Sequence, residues 1–202
     1  MSQTRFRART RIVFSLLALS VMAAPAAAQT IVSTYTPLDL ENCRHTAGKA
    51  EEDSGVWRCA GFGGIPVHVT ANDMRMYVSY GGNAKNEPAA RETLASFHGE
   101  GTSIEWRSER AANGKLKPFA TILRFRTSVA DGDKTVPGQV LVVTRLAPGP
   151  VCRVGYVDGR ANPDANALAR KIADERARNF RCGTDKAVVE GATGPGFSPP
   201  AE

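Results

Sequence analysis

Between residues 163 and 183 the apolar residues Ala165, Leu168, Ala169, Ile172, Ala173, Ala177 and Phe180 recur at steps of three and four. That spacing puts them on one side of a helix. Arg170, Lys171, Asp174, Glu175 and Arg178 fill the other side. Lys171 with Glu175, and Asp174 with Arg178, stand four apart and can pair along it. Asn162 is placed to cap this helix, Pro163 suits its first turn, and Gly183 supplies a stop. A short strand at residues 151–157 precedes it.

Elsewhere the period is two. Residues 65–70 and 74–80 alternate about an Ala71-Asn72-Asp73 turn, which reads as a hairpin. Residues 35–40, 56–60, 102–108 and 118–129 read as further strands. Residues 139–146 are nearly all apolar, which predicts a central strand covered on both faces. Asn86, Pro88, Ala90, Leu94 and Phe97 outline one short helix. After Lys186 no core-forming residues fall in register, and residues 187–202 are expected to be a disordered tail. The sum predicts an α+β domain over residues 29–186. It has six or seven short, mostly antiparallel strands, one long C-terminal helix and one short helix.

The N-terminus changes how charge is read. Arg5, Arg7, Arg9 and Arg11 precede an apolar run of 13 residues at 12–24, followed by Ala26-Ala27-Ala28. This is the pattern of a secretory signal peptide over residues 1–28, and the run is shorter than the roughly 20 residues a bilayer span needs. It implies a periplasmic or secreted protein with no transmembrane segment after cleavage. The whole chain carries a formal charge of +6, and subtracting the four leader arginines leaves only +2. Overall basicity therefore gives no ground for a specific nucleic-acid partner. Removing 28 of the 202 residues leaves 174, enough for one domain with a sizeable core.

Cys43, Cys59, Cys152 and Cys182 all fall in the exported part. An even count there implies two disulfides, and four cysteines allow three connectivities. Local pairs, Cys43–Cys59 and Cys152–Cys182, are favoured. The spacings do not suit zinc, and no metal site or cofactor motif is present.

Motifs for catalysis are sparse. His45, His68 and His98 form neither HxH nor HExxH, and there is no GxSxG. Ser79 lies at a strand end before two glycines, with His68 on the adjacent hairpin strand, so a Ser–His pair is conceivable. Asp73, Glu105, Asp158 and Asp164 lie near strand ends, and nothing selects two of them as an acid pair. The glycines of residues 61–64 lack phosphate-loop spacing and read as a tight connection.

Alternation supplies one candidate surface. Ile104 and Trp106 fall opposite Glu105 and Arg107; Leu123 and Phe125 opposite Arg124 and Arg126; Val140 and Val142 opposite Arg145; Cys152 and Val154 opposite Arg153. If these strands are neighbours, Arg107, Arg124, Arg126, Arg145 and Arg153 share a face. That face would bind an anionic ligand such as a lipid phosphate, an acidic glycan or an acidic protein, unless the arginines are paired to loop acids such as Asp131 and Asp133.

Residues 35–40 through Cys43, residues 73–81, the IEWR at 104–107 and residues 165–182 resemble small exported, periplasmic proteins of alphaproteobacteria of no known activity. The resemblance covers most of the chain after the leader, implies a periplasmic location and carries no catalytic residue. The functional expectation is a non-catalytic periplasmic binding, inhibitor or envelope-associated module. The alternative is a small hydrolase using Ser79 and His68 or an unidentified acid pair. Oligomeric state is not encoded in these patterns.

Overall fold

A computed structural model describes residues 30–47, 54–99 and 101–201, so the leader lies outside the described residues. Seven strands form the larger sheet: β1 (Ile31–Pro37), β6 (Phe97–Gly99), β7 (Ser103–Arg110), β8 (Leu116–Asp131), β9 (Lys134–Arg145), β10 (Cys152–Asp158) and β11 (Val188–Glu190). Their order is β1-β7-β8-β9-β10-β11, and β6 continues beside the far end of β8. β2 (Arg44–Ala47), β3 (Gly55–Cys59), β4 (Val67–Asn72) and β5 (Arg75–Tyr80) form a second, wholly antiparallel sheet in sequence order. The helix α1 (Ala165–Arg176) completes the fold.

The α+β expectation is thus corrected: the fold is mostly β, with strands outweighing helix by 48% to 15%. The expected long C-terminal helix is 12 residues, and the expected short helix is absent. In its place stand single 3-10 turns at Ala84–Asn86 and Pro88–Ala90, and Phe97 opens β6. A short isolated helix is marginal, so tertiary bonds decide the conformation. Here Ala89 N–H donates to the Val151 carbonyl, while the carboxylates of Glu87 and Glu92 accept from Val151 N–H and Arg153 N–H.

The larger sheet is buried on both faces. Val67, Val69, Val78 and Tyr80 of the small sheet pack on Ile104, Trp106, Leu123, Phe125, Val140 and Val142. On the other face Ile122, Leu141, Val143 and Val154 meet Ala169, Ile172 and Ala173 of α1. The helix comes so close that a Cβ at Gly155 would lie 2.9 Å from Ile172 Cγ2. The apolar stripe of α1 is the one its spacing predicts. Its polar side is not simply solvated: Arg170 pairs with Glu105, Asp174 with Arg107 and Arg178 with Glu109, all on β7.

Asn162 does not cap the helix. Its amide donates to the carbonyls of Asp158 and Ala192, and its Oδ1 accepts Ala192 N–H. It clamps the segment expected as a disordered tail. Residues 187–201 instead add β11 in parallel to β10, then return past Gly138 to Leu94, with Ser198 buried. Both favoured disulfides form: Cys43–Cys59 and Cys152–Cys182. Among the described residues no helix is long and apolar enough to cross a membrane.

Candidate anion-binding site

The strands that carry the five arginines are neighbours in the sheet, but the arginines do not form one exposed face. Arg107 is clamped in bidentate fashion by Asp174 of α1, at 2.9 and 2.5 Å. Arg124 reaches Gln139 and Asn166. Arg145 lies under the end of the helix and donates to the carbonyls of Ala177, Pro148 and Pro150. Arg153 points the other way, into the core between the sheets, with its guanidinium 5.9 Å from the Phe125 ring. It is 3% exposed, and its Nη1 has no hydrogen-bond partner. Of the five, only Arg126 is exposed without a hydrogen-bond or acidic partner among the described residues. With apolar residues on both faces, alternation does not say which face is which, and β10 has the opposite phase to its neighbours. The partners are mainly helix acids and backbone carbonyls rather than Asp131 and Asp133.

The acids do not converge either. Glu105 is paired to Arg170, Asp158 accepts the N–H groups of Arg160, Ala161 and Gly194, Asp164 sits at the N-terminus of α1, and Asp73 lies in the β4–β5 turn.

Ser79 and His68 are brought together. They are directly opposed across β4 and β5, on the outer face of the small sheet. The arrangement is not that of a nucleophile and its base. Ser79 is fully buried beneath the 3-10 turns, its Oγ has no partner, and the nearest bond of His68 Nε2 is to Thr70 Oγ1 at 3.3 Å. A buried hydroxyl with no base in contact cannot attack a substrate from solvent.

The register instead extends the pair into a row. Arg44 is opposed to Arg58, Arg58 to His68, and His68 to Ser79, so one line crosses all four strands of the small sheet. Directly opposed residues hold their Cβ atoms roughly 4.5–5.5 Å apart, and like charges so placed destabilise the pairing. Arg44 and Arg58 are both exposed, and neither has an acidic partner among the described residues. Lys85 stands beside the row. Burial first, and then the cations of Arg58 and Lys85, push the His68 pKa below its ordinary value.

The row borders a cleft of about 320 Å³ lined by Arg58, His68, Lys85 and the backbone of Gly81 and Gly82. Two neighbouring clefts, of about 420 and 520 Å³, share Arg58, Gly64 and Pro66 with each other. At Gly64 and Gly81 the left-handed backbone (φ 81° and 100°) requires glycine, and no atom stands within 4 Å of the place a Cβ would take. A ligand can therefore approach bare backbone flanked by cations. This row was missed in the sequence because it exists only through register: Arg44, Arg58 and His68 stand on three successive strands and become neighbours only when these pair. Among the described residues no cluster of His, Cys, Asp and Glu could hold a metal ion. No family model matches the chain, no curated protein matches it in sequence, and no solved structure matches it.

Proposed function

We propose that the protein is an exported, non-catalytic binding module that captures an anionic group on the outer face of its four-stranded sheet. The observation that carries this reading is the Arg44–Arg58–His68 row, in which two guanidinium groups stand directly opposed beside a neutral imidazole, with no acidic partner among the described residues. Such a row is unfavourable when empty and becomes favourable when an anion lies across it. Planar guanidinium groups grip phosphate or carboxylate with two parallel bonds, and the glycine backbone beside them leaves room for that contact. Two disulfides and the arginine-rich leader support a periplasmic or extracellular setting.

Calorimetric titration with inorganic pyrophosphate at low salt tests the reading. Saturable binding is expected, weakening as salt rises because exposed charges are screened beyond about 10 Å at 0.1 M. Arg58→Gln is expected to remove it. Unchanged binding in Arg58→Gln would place the anion elsewhere.

A further inference from the structure

A cavity of about 610 Å³ lies at the opposite end of the small sheet from the glycine clefts, between that sheet and residues of β6 and β8. Its walls include Trp57, Met74, Met76 and Phe97. This volume is in the range of small-molecule pockets, and it combines an apolar lining with few polar groups, as such pockets do. Met74 (56% exposed) and Phe97 (44% exposed) form its rim. Because both line one cavity, they form a contiguous apolar patch, the kind of surface that marks an interaction site.

The rim is built, not accidental. Asp73 and Met74 both adopt the left-handed region (φ 50° and 54°), a conformation that non-glycine side chains disfavour. The Met74 carbonyl accepts His98 N–H, which clips the β4–β5 turn to β6. Trp57 is held just as firmly. Its ring lies over Gly55, where a Cβ would come within 2.2 Å of the indole, and packs 5.3 Å from the His45 ring.

Among the described residues, the mouth carries two arginines and one acid, Asp73. Arg75 is already engaged by Asp73, by the Ala95 carbonyl and by the Phe97 ring. Arg126 is exposed and lines the cavity, and among the described residues it has neither an acidic partner nor a side-chain hydrogen bond. An apolar cleft with one uncommitted guanidinium at its mouth is complementary to a chain with an apolar body and a single negative head. We infer that this cavity binds an amphipathic monoanion of the medium-chain carboxylate class. The apolar chain lies against Trp57, Met74, Met76 and Phe97, and the carboxylate meets Arg126. Flexible methionine side chains suit such a variable apolar body. This site shares no residue with the Arg44–Arg58–His68 row, so the two stand or fall separately.

Tryptophan fluorescence reads the site directly, because Trp57 borders the cavity while Trp106, the other tryptophan, is fully buried. The purified protein is titrated with decanoate, decanol and decyltrimethylammonium below their micelle concentrations. Decanoate is expected to give a saturable change that Trp57→Phe removes, and to bind more tightly than the other two. Arg126→Gln is expected to weaken decanoate by about ten- to a hundredfold, the scale of a charged hydrogen bond, and to leave decanol unchanged. Arg58→Gln is expected to leave decanoate binding intact. Calorimetry repeats the comparison where a variant lacks signal. Decanol binding as tightly as decanoate, or Arg126→Gln binding decanoate like the wild type, would overturn the assignment. So would sedimentation showing that the patch is covered by a second copy of the chain and takes up no decanoate.

Discussion

His98 links the small sheet to β6. Its Nδ1 lies 2.8 Å from the Ser96 carbonyl, which only accepts, so Nδ1 carries the proton in the neutral ring. Nε2 then accepts Met76 N–H at 3.1 Å and faces the Met76 carbonyl, also at 3.1 Å, to which only the charged ring can donate. Burial, reinforced by the nearby Arg153 and Arg75 cations and opposed by the bonds to Ser96 and Met76, holds its pKa below the ordinary 6.5. The unfolded chain takes up that proton first. The stability tied to neutral His98 is present above pH 6.5 and is lost as pH falls through the folded value. His68, also lowered, acts in the same direction. Glu92, raised mainly by burial, acts in the opposite one, since its contribution grows as pH falls. The difference between wild type and His98→Asn isolates the histidine. In urea unfolding, the wild type is expected to lose more stability than the variant between pH 7.5 and 5. Parallel losses would show that His98 does not contribute to the pH dependence of stability.

At the scale of elements, the closing staple is the clearest case. Cys152 begins β10 and Cys182, 30 positions later in the chain, follows α1. Arg145 holds the same corner by three carbonyls, so the helix end is fixed twice. Cys182→Ala is therefore expected to cost about 2 kcal/mol, the lower end of the usual range for a native disulfide. A loss well above that, measured by reversible denaturation, would mean that Arg145 contributes little. The helix stripe and both disulfides were legible in the sequence because each depends on local spacing. The arginine face was not, since Val140 and Leu141 are both core residues on opposite faces and their pattern is the same viewed from either side. Nor was the short helix excluded by pattern: Glu87 and Glu92 serve β10 instead, a long-range choice that propensity does not register. Residues 187–201 looked unstructured because their anchors are Asn162, Asp158 and backbone carbonyls rather than an apolar repeat.

The whole molecule is a two-sided sheet, sealed on one face by α1 and on the other by the small sheet. Both surfaces proposed for binding lie on that small sheet: the Arg44–Arg58–His68 row on its outer face and the apolar cavity at one end. The opposed Arg44 and Arg58 strain the row when it is empty, and a bound anion is expected to relieve that strain. Thermal melts of wild type and Arg58→Gln at pH 7.5 and low salt, with and without inorganic pyrophosphate, test it most directly. Without pyrophosphate, Arg58→Gln is expected to melt at or above the wild-type temperature, because one of two opposed like charges is gone. With pyrophosphate, the wild type is expected to rise and the variant to stay where it was. A variant that melts below the wild type without the anion, and then gains the same upward shift with it, would show that Arg58 is neither strained in the empty row nor part of the anion site.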